Sequence, residues 1–169
     1  PMKMNKIKKA ICVVLILFGL MLFMRMQFDL SAQNISPNRE VAQAEELERL
    51  RKDGVRAGTY SVKIVYADGE QVIEEIVLLT IKDEHTVIQD QIAIDAHDAT
   101  IDVQQVAEMT SEKWIEITEA RAWNVKTQEV VNITGVNSSQ IKSEVGTYQL
   151  YFVTLNNVQT AVDITVTSS

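Results

Sequence analysis

The fold is read from the end of the chain, Gly146-Thr147-Tyr148-Gln149-Leu150-Tyr151-Phe152-Val153-Thr154-Leu155-Asn156-Asn157-Val158-Gln159-Thr160-Ala161-Val162-Asp163-Ile164-Thr165-Val166-Thr167. Val158, Thr160, Val162, Ile164 and Val166 fall on one parity, with mostly polar residues between them. A strand turns alternate side chains to opposite faces, so this period of two marks a strand with one buried face. Residues 148–155 form its partner, and Asn156-Asn157 supplies the turn.

The same opening stands 88 residues upstream, where Gly58-Thr59-Tyr60-Ser61-Val62 matches Gly146-Thr147-Tyr148-Gln149-Leu150. Tyr60, Val62, Ile64 and Tyr66 alternate, Asp68-Gly69 marks a tight turn, and residues 72–81 are rich in Val, Ile and Leu. This predicts a second hairpin. A weaker echo pairs Leu30-Ser31-Ala32-Gln33-Asn34-Ile35-Ser36 with Ile94-Asp95-Ala96-His97-Asp98-Ala99-Thr100, at an offset of 64. The two offsets differ by 24 residues, which reads as two copies of one module, the first shortened in its middle. Between the hairpins, strands are expected at 92–96, 100–106, 120–125 and 129–133, with a helical turn at 110–117 capped by Thr110 or Ser111. Residues 38–53 have a short amphipathic helical pattern, with Val41, Ala44, Leu47 and Leu50 as its apolar stripe. Pro37 stands near its start and Gly54 at its end. Short strands without long interleaved helices predict a mainly β, antiparallel sandwich.

The chain has 169 residues, 16 basic and 23 acidic. Every acidic residue follows Arg25, whereas Lys3, Lys6, Lys8, Lys9 and Arg25 lie in the head. An acidic body argues against nucleic acid, whose binding needs Lys and Arg to neutralise phosphates. The head carries four lysines followed by an uncharged apolar run from Ala10 to Met24. That is the pattern of a signal-anchor or transmembrane segment with a cytoplasmic N-terminus, assigned here to residues 1–28. Cleavage after Leu30-Ser31-Ala32 is the alternative, and it gives a secreted protein. Either way the body is expected outside the cytoplasm, with the membrane as partner through the N-terminal helix.

Chemistry-bearing residues are sparse. Cys12 is the single cysteine, so an internal disulfide and a multi-Cys zinc site are excluded. The six glycines form no phosphate loop. His85 and His97 lie in acidic segments, with no nucleophile motif near either. No catalytic, metal or cofactor residue is therefore assigned. Asp95, Asp98 and Asp102 cluster in sequence and leave calcium open as a ligand, against the alternative of a solvated acidic edge. Trp123, among small residues, is read as core. Trp114 is read as a possible partner contact. Tyr60 and Tyr148 are read as structural.

Four segments carry a family resemblance: Ile94-Asp95-Ala96-His97-Asp98, then Ala120-Arg121-Ala122-Trp123-Asn124, then Val145-Gly146-Thr147-Tyr148-Gln149-Leu150-Tyr151-Phe152-Val153-Thr154, and last Val162-Asp163-Ile164-Thr165-Val166. Together they resemble the bacterial immunoglobulin-like repeats of Gram-positive surface adhesins. The resemblance covers residues 91–169 well and 28–85 in part. It implies a truncated Ig-like module at 29–86 and an Ig-like β-sandwich at 87–169, both on the cell surface. The chain ends at Thr167-Ser168-Ser169 without a sorting motif, so attachment is expected to rest on the N-terminal segment. The resulting expectation is a non-enzymatic, membrane-anchored surface module. Its role is structural or adhesive, with an unknown protein or carbohydrate ligand. The alternative is an accessory subunit of an envelope assembly, such as a secretion, conjugation or pilus apparatus, docked through the helix at 38–53.

Overall fold

A computed structural model describes residues 35–169. The expected membrane segment at 1–28 and most of the upstream echo lie outside the described residues. Among those described, no helix is long and apolar enough to cross a membrane.

The described chain is mainly β. It opens with helix α1 (Arg39–Lys52), followed by the hairpin β1 (Gly58–Asp68) and β2 (Gln71–Ile81). Then come β3 (Val87–Gln89), β4 (Ile92–Asp95), β5 (Ala99–Asp102), a short 3-10 turn and helix α2 (Ser111–Ile117). The last strands are β6 (Arg121–Asn124), β7 (Val130–Val131), β8 (Ile133–Asn137), β9 (Gly146–Thr154) and β10 (Gln159–Thr167). They form a two-stranded sheet β1-β2 and two four-stranded sheets, ordered β5-β10-β9-β8 and β3-β4-β6-β7.

By compactness the chain divides into two units. One contains residues 35–42 and Ile64–Glu75, and the other Gln43–Lys63 with Ile76–Ser169. The division therefore runs through α1 and the first hairpin. In the smaller unit Ser36 bridges Tyr66 in parallel, the Ala67 amide donates to the Ser36 carbonyl at 2.9 Å, and Arg39 pairs with Glu75.

In the larger unit both four-stranded sheets contribute to one core. Ile94 and Ala122 come from one sheet; Leu150, Phe152, Val162, Ile164 and Val166 come from the other. The parity read from the sequence holds, since Val158, Thr160, Val162, Ile164 and Val166 are all buried. Asn157 closes the β9–β10 turn with φ of 61°, a left-handed conformation that Asn tolerates. β10 pairs antiparallel with β9 and parallel with β5. β5 stops at Asp102, short of the expected 106. There the Asp102 carboxylate accepts the Gln104 amide at 2.8 Å and turns the chain. Thr110 caps α2, accepting the Lys113 amide at 3.3 Å.

Both Gly-Thr-Tyr segments build the same local device. The Tyr60 hydroxyl donates to the Arg56 carbonyl at 2.7 Å, and the Tyr148 hydroxyl donates to the Glu144 carbonyl at 3.0 Å. Each reaches four residues back, and each ring lies over the glycine two residues before it. A Cβ at Gly58 would stand 3.1 Å from the Tyr60 hydroxyl, and one at Gly146 would stand 3.2 Å from that of Tyr148. The echo in sequence is thus an echo in local geometry. The base of β1 also packs on the later strands. Trp123 Nε1 donates to Thr59 Oγ1 at 2.9 Å, and Gln128 Nε2 donates to the Thr59 carbonyl at 2.9 Å. Ala57, Ala93 and Trp123 form a second small core there.

The stripe expected on α1 needs correction. Ala42 and Leu50 are buried, whereas Ala44 is exposed. Steps of three residues rotate by about 300°, so four such positions drift over half the helix surface and cannot share one face. The covered face follows the true period through Ala42, Leu47 and Leu50.

Candidate functional site

Two places in the larger unit gather functional chemistry. The first is the outward face of β8, β9 and β10. Burial of Leu150 and Phe152 turns Tyr151 and Val153 outward. Register places Gly135 and Gln159 beside Val153, and Asn137 and Ala161 beside Tyr151. Gly135 has no side chain, so Val153 lies close against its backbone. The result is an open groove of about 430 Å³, lined by Gly135, Asn137, Gln140, Tyr151, Val153 and Gln159 among others. Its lining offers a half-buried aromatic ring and several side-chain amides, but no carboxylate, imidazole or amine. Such a set can bind and orient a neutral ligand.

The groove depends on Gly135. A Cβ there would meet Val153 Cγ1 at 2.6 Å, and the register shifts between Ile133 and Gly135. Sequence reasoning did not find β8, because Gly135 and Asn137 are weak strand formers. The parity of Tyr151 against Leu150 and Phe152 was the available signal for the groove.

The second place is ionisable. Asp83 follows β2, Asp95 ends β4, His97 stands two residues on, and Glu119 follows α2. His97 Nε2 lies 3.5 Å from Asp83 Oδ2 and 3.5 Å from Asp95 Oδ2, while Nδ1 faces Glu119 Oε2 at 3.1 Å. Asp95 has only 2% of its side chain exposed, and its Oδ1 accepts the Thr86 hydroxyl at 2.7 Å. Among the described residues, Asp83, Asp95 and His97 are the one group whose ligand atoms all fall within 4.8 Å. Beside them, burial pushes the Arg121 guanidinium below its ordinary pKa. Arg56 adds to this, and Tyr60, Asp95 and Asp83 oppose it. Arg121 also stacks over Trp123 at 4.8 Å, and its Nη2 is buried without a hydrogen-bond partner.

Asp95, Asp98 and Asp102 do not converge. Asp95 faces His97. Asp98 accepts the Asp163 amide at 2.8 Å and lies 3.0 Å from His85 Nε2, poorly aligned for a hydrogen bond. Asp102 holds Ser169 and the Gln104 turn. The calcium possibility raised for these three therefore has no common centre. Neither imidazole is hydrogen-bonded to a serine or threonine hydroxyl among the described residues, although the Thr160 hydroxyl donates to the His85 carbonyl, and His85 is half-buried.

Trp114 is corrected as a partner contact. Only 3% of it is exposed, and it sits in the main core. Its helix is capped at both ends, with the buried Thr118 hydroxyl donating to the Trp114 carbonyl at 2.7 Å, so the ring faces inward. The aromatic residue that does line a groove is Tyr151. Trp123 is buried, as read. No protein-family model, curated protein or solved structure matches the chain.

Proposed function

We propose that this chain is a non-enzymatic, membrane-attached binding module of the cell surface. It carries an Ig-like β-sandwich whose β8–β9–β10 face takes a neutral carbohydrate. The observation that carries this reading is the groove itself: one tyrosine ring, side-chain amides and a floor opened by Gly135. Sugar C–H faces stack on aromatic rings, and amides can both donate to and accept from hydroxyls. The paired tyrosine devices, with hydroxyls bonded back to the backbone, suit an Ig-like frame. Surface location and attachment through residues 1–28 rest on the lysine-flanked apolar run alone.

The test is binding of the detergent-solubilised full chain to an array of neutral polysaccharides. Tyr151→Ala is expected to cut binding at least about tenfold, the loss of one good anchor residue, with the circular dichroism spectrum unchanged. Binding that survives Tyr151→Ala, or an array without any bound glycan, would overturn the carbohydrate reading. Protease shaving of intact cells checks the location.

A second reading, an accessory subunit of an envelope assembly, is favoured by β2. Ile76 is 75% exposed and Leu78 is 40% exposed on one parity of that strand, where a protein partner would cover them. Ile76→Lys separates the two readings: it should abolish complex formation in the second and leave glycan binding intact in the first.

A further inference from the structure

The geometry points to a zinc site made by Asp83, Asp95 and His97, with Glu119 behind it, separate from the carbohydrate groove. A single imidazole nitrogen faces two carboxylates at equal distances of 3.5 Å. Both distances exceed the ordinary hydrogen-bond length. They fit a shared cation instead. Zinc holds nitrogen and oxygen ligands at about 2.1 Å in a tetrahedron, which sets neighbouring ligand atoms about 3.4 Å apart.

A second observation concerns Asp95. Its carboxylate is almost completely buried, and Oδ1 accepts the Thr86 hydroxyl at 2.7 Å. Oδ2 lies on the side of the cluster, 3.5 Å from His97 Nε2. Glu119 takes the place usually held behind a zinc-bound imidazole. Its carboxylate at Nδ1 fixes the tautomer that leaves the Nε2 lone pair toward the two aspartates. Arg121 offsets part of the acidic charge. Three protein ligands leave the fourth position to water. Calcium suits the site poorly, since it takes six to eight oxygens.

The test uses the full Cys12→Ser chain in detergent, which removes the only thiol, stripped with a chelator and titrated calorimetrically with Zn²⁺. One equivalent should bind. Asp83→Asn, at a partly exposed side chain whose Oδ2 also accepts the Ala57 amide at 3.4 Å, and His97→Ala should each weaken binding at least tenfold. Glu119→Gln should weaken it by about 10–100-fold while keeping the stoichiometry. His85→Gln should leave it unaltered. The Co²⁺ form should show the strong visible absorption of tetrahedral coordination. Absence of Zn²⁺ binding, Zn²⁺ binding indifferent to both Asp83→Asn and His97→Ala, or Ca²⁺ binding tighter than Zn²⁺ would each overturn the assignment.

Discussion

The contact between Trp123 and Thr59 decides whether the base of the first hairpin belongs to the fold of the later strands. The Trp123 indole donates to Thr59 Oγ1 at 2.9 Å, and that hydroxyl also meets Thr80 Oγ1 at 2.8 Å. Removing the indole N–H by Trp123→Phe costs about 1 kcal/mol for the hydrogen bond. The smaller ring forfeits about 40 Å² of burial, about another 1 kcal/mol. The total of about 2 kcal/mol is about a thirtyfold change in an opening equilibrium. Thr59→Val strands both the indole and the Thr80 hydroxyl, at a cost of about 2–3 kcal/mol. In the double variant the indole is no longer orphaned, so the two effects should fall short of additivity by about 1 kcal/mol. Urea denaturation of all four proteins, followed by far-UV circular dichroism at constant m, reads this coupling. Hydrogen exchange should quicken at residues 59–63. Additivity within about 0.4 kcal/mol would refute the claim that this contact ties the hairpin base to β6.

Three further outcomes follow from the structure. Tyr60→Phe and Tyr148→Phe each remove one hydroxyl-to-carbonyl bond, so each should cost about 1 kcal/mol in urea denaturation. Their sum should be additive, because the two devices share no residue. Gly135→Val places a side chain against Val153 Cγ1, 2.6 Å from the new Cβ; it should destabilise by about 1–3 kcal/mol in the same assay and abolish any ligand held by the groove. The Asp102 carboxyl is held below its ordinary pKa, first by the Ser169 hydroxyl and then by the Gln104 and Ser169 amides. A depressed folded-state pKa gives stability that is present above the unfolded value and lost as pH falls through the folded one. Asp102→Asn should therefore lower stability most at neutral pH and converge with the wild type as pH falls below the ordinary aspartate range, which flattens the acid limb, as read by thermal melts across pH. An identical acid limb would refute this role.

Much of the architecture is local and was legible. The period of two in β10 sorts each side chain to a face before any partner is known. Asp68-Gly69 and Asn156-Asn157 carry the φ preferences of their turns, and both Gly69 and Asn157 have positive φ. The strand at 87–89 escaped notice because three residues cannot display a period. β8 escaped because Gly135 and Asn137 look like a loop. Trp114 was misplaced for a related reason: so short a helical segment does not say which of its sides meets the core.

The sequence by itself determined a β-rich body, its two principal hairpins, the repeated Gly-Thr-Tyr device and the inward face of the last strand. All of these follow from side-chain periodicity and from backbone preferences acting over a few residues. Only the tertiary structure decided the two candidate sites. Asp95 and His97 are neighbours by the pleat, but Asp83 and Glu119 arrive from separate connections, so no spacing announces the cluster. The groove arises where register sets Gly135, Tyr151 and Gln159 on adjoining strands. Register is a property of strand pairing and is absent from any one segment read alone.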